Sequence, residues 1–200
     1  GETDAPPADQ GPQAGRLVII GGGLQAETTE VYQAILDGRM GEGPVCVFPT
    51  ASAEPEESTA SAISRFDAVG GEGTAEGIYL TVDNPEDAAL PETVSRIEAC
   101  SGFYFVGGQQ FRIVEVFRPD EGDSPAYQAL FQKYLDGAVV SGSSAGAAIM
   151  NDPMIGGGSS LGATAEIAIA ASGDTVALWI TDLGEGSTPI RLVINEITIR

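Results

Sequence analysis

The sequence predicts an α/β sandwich in three layers, with a mostly parallel sheet covered by helices on both faces. Three observations point there. From Arg16 onward, short apolar runs alternate with longer stretches of helical periodicity, the pattern of successive strand–helix units. Two of the apolar runs end in glycine-rich turns, Gly21 to Gly23 and Gly107-Gly108. A third, "AVVSGSSAGAAIMNDP" (138–153), passes from a strand into Gly-Ser-Ser-Ala-Gly-Ala with no room for a loop. With 200 residues and 42% hydrophobic content, one domain over residues 16–200 is expected.

"RLVII" (16–20) reads as the first strand, and "TTEVYQAILDG" (28–38) as an amphipathic helix closed by glycine. "PVCVFPT" (44–50) is the second strand. The helix after it starts at Pro55, where a proline at the first position and an acidic first turn both favour a helix N-terminus. "EGIYL" (76–80), "GFYFV" (102–106) and "GAVVSG" (137–142) supply three more strands, with helices near 91–99, 109–117 and 125–136 between them. After Gly162 the texture changes: "AEIAIAA", "TVALWIT" and "IRLVINEITI" read as hairpin-connected strands that extend the sheet at one edge.

Twenty-nine acidic against nine basic residues give a formal charge of −20. That charge repels phosphate backbones and anionic membrane surfaces, so neither nucleic acid nor membrane is an expected partner. It is compatible with a cationic substrate, and equally with a solubility adaptation to salt. No apolar run reaches the roughly 18 residues of a membrane span. Residues 1–15, "GETDAPPADQGPQAG", read as a disordered leader; export after signal-peptide removal is one reading of it and a cytoplasmic location the other. Cys46 and Cys100 each sit beside an apolar strand. They are open to two readings, a single disulfide or two buried free thiols.

With no histidine and two distant cysteines, no metal site is expected, nor any other cofactor. The dinucleotide fingerprint is matched only loosely by Gly21, Gly23 and Ala26, and no acidic residue follows at the required distance.

The serine turn carries the chemistry. A serine raised between a strand and a helix exposes its hydroxyl, and the amide after it is free because the first N–H groups of a helix lack internal partners. Gly142, Ala145, Gly146, Ala147 and Ala148 supply the small neighbours that such a turn needs. The plainer alternative is a small-residue packing seam. In a parallel sheet the Gly107-Gly108 turn would lie near Ser144 at the same carboxyl edge, so two amides could converge on one oxygen. Gln109 and Gln110 would stand at the rim as substrate contacts, or merely begin a helix.

"RLVIIGGGL", "VFPTASAEPEE", "FYFVGGQQFRIVEVF" and "VVSGSSAGAAIMNDPMIGGGSS" resemble, in order, the motifs of the cyanophycinase-like branch of the S51 serine peptidases, relatives of aspartyl dipeptidase. The resemblance covers residues 16–162. It implies a class I glutamine amidotransferase-like (flavodoxin-like) fold, with Ser144 as nucleophile and Gly108 and Ala145 as oxyanion amides. Gln110 would touch substrate, with Gln109 and Ser143 beside it. A homodimer is a further implication of the resemblance.

The same resemblance exposes a gap. A serine hydroxyl needs a base, and in the family a histidine-bearing segment follows the Gly-Gly-Ser-Ser motif. Here "MIGGGSSLGAT" passes directly to "AEIAIAASGDTVALWI", so the resemblance implies some tens of residues missing near 163–166. Either the sequence joins two stretches across a segment it omits, or the protein lacks that segment and is an inactive binder of a peptide or partner. The first is favoured because every motif before the junction is in place. Lys133 and Asp152 do not replace the histidine: the lysine is expected to face solvent, and the aspartate to form a turn in "NDP". The expected activity is therefore that of a serine peptidase working through an acyl-enzyme. By resemblance its substrate is an aspartyl peptide of the cyanophycin or β-aspartyl-arginine type, rich in arginine.

Overall fold

A computed structural model describes residues 14–119, 122–151, 154, 176–180 and 190–194. Five strands form a parallel sheet: β1 (Leu17–Ile20), β2 (Val45–Phe48), β3 (Ala75–Gly77), β4 (Gly102–Phe105) and β5 (Val139–Ser143). Their spatial order is β1-β5-β4-β2-β3, and every neighbouring pair is parallel. Six α-helices accompany them: α1 (Thr29–Leu36), α2 (Pro55–Gly70), α3 (Pro91–Ala99), α4 (Gln110–Phe117), α5 (Pro125–Leu135) and α6 (Ala145–Ala148). A short 3-10 helix, Pro85–Ala89, precedes α3 and has no counterpart in the sequence reading.

Strand periodicity sorts the core into two layers. Val45 and Val47 of β2 join Tyr104 of β4 and Val139 of β5 on one face, packed against Tyr32, Ile35 and Leu36 of α1 and Ala62 and Phe66 of α2. Cys46 and Phe48 alternate to the other face, with Phe103 and Phe105, under α3, α4 and α5. There Phe48 stacks on Phe105 with ring centroids 4.9 Å apart and meets Phe117 of α4 edge-on at 5.2 Å. Buried on both faces, β2 and β4 read as continuous apolar runs because each strand is covered from both sides.

The helix starts follow local chemistry. Pro55, Pro91 and Pro125 occupy the first turns of α2, α3 and α5, and the Ser124 hydroxyl caps α5 by accepting from the Tyr127 N–H at 3.1 Å. Cys46 and Cys100 form a disulfide with Cα atoms 5.8 Å apart, tying β2 to the C-terminal end of α3. Of the two readings open in the sequence, the disulfide is the one found.

Contacts divide the chain at Asn151 into two compact units, where the sequence reading takes 16–200 as one domain. In the second unit, β6 (Val176–Ile180) and β7 (Ile190–Ile194) pair antiparallel, Val176 opposite Ile194. They make a two-stranded sheet of their own. Alternation specifies such a hairpin, but it does not specify which sheet a hairpin joins. The leader's residues 1–13, the junction at 163–166 and Asp152 lie outside the described residues. Gly15, by contrast, is held by its N–H donating to the Tyr134 carbonyl. No described helix is long and apolar enough to cross a membrane.

Candidate active site

The register of three adjacent strands determines what surrounds Ser144. Ile20 of β1 pairs with Ser143, and Phe105 of β4 pairs with Gly142. One residue past Ile20 and two past Phe105, the turns at Gly21 to Gly23 and at Gly107 therefore come level with Ser144. The distances agree: a Cβ on Gly22 would stand 3.5 Å from the Ser144 Cβ, and one on Gly107 would stand 3.3 Å from it. A serine flanked on both sides by glycine backbones keeps its hydroxyl accessible.

Ser144 is the one non-glycine residue with positive φ among the described residues, at φ 55° and ψ −110°. Such a conformation costs roughly 1–3 kcal/mol and persists only where the surroundings enforce it. Here they do. The Ser144 N–H donates to the Ile20 carbonyl at 2.9 Å, and its carbonyl accepts from the N–H groups of Ala147 and Ala148 at 3.0 and 2.9 Å. Strand and helix thus clamp the residue from either side. Close packing below the turn excludes larger residues, since a Cβ on Gly146 would fall 2.2 Å from the Phe105 carbonyl oxygen. Ser144 is exposed while Ser143, Ala145, Gly146 and Ala147 are buried, so the turn lifts a single side chain out of the core.

The other residues singled out in the sequence distribute unevenly. Ala145 begins α6, with its N–H at a position that has no partner inside the helix. Gly108, at φ +142°, follows the β4 turn, but its Cα packs on the Ala51 carbonyl. It is Gly107 that meets Ser144. Gln109 is exposed, and its N–H donates to the Ala51 carbonyl at 2.9 Å. Gln110 is the half-buried first residue of α4. Ser143 ends β5, buried, with its hydroxyl hydrogen-bonded to the Tyr104 phenol.

Beside Ser144 lies a cavity of about 300 Å³. Gly107, Ser143 and Ser144 form its sheet-side wall, and neither glutamine lines it. Opposite stand Ser61, Ala62 and Arg65 from one face of α2, and Tyr104 forms part of the wall. Burial raises the Tyr104 phenol to about 12, with Tyr32 adding to the rise; Arg65 and the Ser143 hydrogen bond oppose it. The phenol is therefore neutral at ordinary pH. Sequence reading passed over Arg65, Tyr104 and Gly22. The only signal for Arg65 was its place three and four residues beyond Ala62 and Ser61 on one helix face, while Gly22 required knowing that β1 neighbours β5.

An exposed serine at positive φ thus joins a central parallel strand of an α/β sheet to a helix. No family model matches the chain. Cyanophycinases from Nostoc sp. and Trichormus variabilis are each 31% identical over 147 residues, covering 72% of this chain and 47% of theirs. The cyanophycinase of Thermosynechococcus vestitus is 31% identical over 156 residues, covering 73% of this chain and 44% of its own. The crystal structure of a peptidase from an acI-B1 Actinobacterium superposes with a TM-score of 0.55 at 24% identity, over 70% of this chain and 58% of that one. That likeness shows the α/β fold. The chain belongs to the cyanophycinase-like peptidase family, and it spans about half the length of the curated relatives it matches.

Proposed function

We propose that the protein is a serine peptidase acting on aspartyl peptide bonds, with Ser144 as its nucleophile. The observation that supports this most is the conformation of Ser144: an exposed hydroxyl on a strained turn, between two glycine backbones, at the mouth of a cavity. Strain at a single non-glycine residue marks a position held for function.

In the proposed reaction the Ser144 Oγ attacks the peptide carbonyl carbon as a general base takes its proton. The Ala145 and Gly108 amides stabilise the tetrahedral oxyanion. Collapse expels the leaving amine, which takes the proton, and leaves an ester on Ser144. Water then hydrolyses the ester. Removal of one oxyanion donor in such a site costs on the order of a hundredfold or more in rate. The base is proposed to be a histidine from a segment near 163–166 that this sequence does not contain, since none of the 200 residues is a histidine. Cyanophycin or its β-aspartyl-arginine units are the proposed substrates, after the relatives' name. A homodimer is proposed on the same resemblance.

The missing histidine favours a second reading, a catalytically inactive member that binds a peptide in the same cleft. Hydrolysis of β-aspartyl-arginine by the complete encoded protein, compared with its Ser144→Ala variant, decides between them. Turnover lost in the variant, with an unchanged melting temperature, supports the peptidase. Equal turnover in both refutes Ser144, and no turnover in either favours the binder.

A further inference from the structure

The cavity beside Ser144 carries one charge among its described lining residues, and that charge is positive. In a chain of formal charge −20 this is the reverse of the overall balance. Arg65 brings the charge from α2. Its guanidinium is half-buried and donates to two neutral oxygens, the Leu24 carbonyl at 3.3 Å and the Tyr32 hydroxyl at 3.4 Å. Both contacts are long. The ion pairs among the described residues belong to Arg96 and Arg118, so Arg65 faces the cavity without a carboxylate partner.

A planar guanidinium with donors to spare selects a carboxylate, which it grips with two parallel hydrogen bonds. The wall adds uncharged donors, the Tyr104 phenol and the Ser61 hydroxyl, and no described acidic residue that would repel an anion. A cationic group in this cavity would find no counter-charge and would meet Arg65 directly.

We propose that Arg65 is the specificity-determining residue of the site, holding the free α-carboxylate of a β-aspartyl substrate beside the carbonyl presented to Ser144. The placement of that carbonyl rests on the peptidase reading; the anion site itself does not. The substrate therefore enters with its carboxylate inward, and any basic group it bears stays outside this cavity. The −20 surface offers that basic group counter-charge.

Succinate is the probe, with succinamide as its uncharged counterpart, titrated calorimetrically at low salt into the complete protein. Wild type is expected to bind succinate and to ignore succinamide. Arg65→Gln should weaken succinate binding at least about tenfold, and Arg65→Lys, which keeps the charge but loses the fork, should fall between. If Arg65→Gln does not fold, the Arg65→Lys comparison carries the test. The proposal is overturned if wild type does not bind succinate, if succinamide binds equally well, or if a folded Arg65 variant binds succinate as wild type does. Succinate bound through Arg65 in a protein that hydrolyses nothing would leave this site standing and remove the peptidase reading.

Discussion

Gly107 and Ser144 meet across the β4–β5 ladder: a Cβ on Gly107 would lie 3.3 Å from the Ser144 Cβ and 3.8 Å from its Oγ. The absent side chain leaves the approach to the hydroxyl open. Gly107→Ala is therefore expected to change stability by less than about 1 kcal/mol, because contacts of this length are tight rather than forbidden. Hydrolysis should fall by roughly tenfold or more as the methyl displaces a substrate from its line of attack. Gly108→Ala should do the opposite in order of severity, since its Cβ would fall 2.0 Å from the Ala51 carbonyl oxygen at a φ of +142°. A loss of about 2–4 kcal/mol by denaturant titration is expected there, and equal stability of the two variants would contradict the packing described.

Ser144 holds its conformation at a cost that glycine would avoid. Ser144→Gly is expected to raise stability by about 1 kcal/mol, offset in part by the greater freedom of glycine in the unfolded chain. The variant should be inactive. A destabilised Ser144→Gly would show that the backbone there is relaxed, and that the turn is only a packing seam.

The disulfide between Cys46 and Cys100 closes a loop spanning 54 residues of sequence separation. In the chain-entropy account this constrains the unfolded state by about 4 kcal/mol. A Cys46→Ala/Cys100→Ala double variant should lose about 2–4 kcal/mol, measured as a fall of roughly 10 °C in melting temperature. An unchanged midpoint would show that the two sulfurs are not joined in solution.

Tyr104 gives the first unit a specific alkaline sensitivity. Burial pushes its phenol up to about 12 from an ordinary value of 10.0. A raised folded value favours the neutral form, so this contribution to stability is complete below pH 10 and is lost as pH climbs from about 10 through 12. The full loss is about 2–3 kcal/mol. Urea titrations at pH 9 and pH 12 should show that difference between wild type and Tyr104→Phe. Parallel curves for the two proteins would remove the buried phenol as its cause.

Much of the sheet was legible because strand and helix periods differ and glycine or proline marks their ends. The Ser144 turn stood out because six small residues follow an apolar run, a pattern that suits a tight turn, although a packing seam would leave the same trace. Partner strands were less accessible: nothing local in "RLVIIGGG" says that it lies against β5, so nothing marked Gly22 as a neighbour of Ser144. Arg65 was invisible for the same reason, because its place near Ser144 comes from a cavity lined by the turn after β1, by β4, by the end of β5 and by α2. The β6–β7 hairpin shows the converse limit, since its alternation named the strands but left their sheet open. The two cysteines were undecided in sequence because apolar surroundings suit a thiol and a disulfide alike; coordinates were needed to bring their Cα atoms to 5.8 Å.

A fluorophosphonate reacts only with a serine whose hydroxyl is both exposed and activated, so intact-mass analysis of the complete encoded protein after such labelling reads the central claim. One adduct, mapped to Ser144 by peptide fragmentation and absent from Ser144→Ala, is the expected result. An unlabelled Ser144 in a protein that hydrolyses β-aspartyl-arginine, or an adduct on another serine, would contradict it.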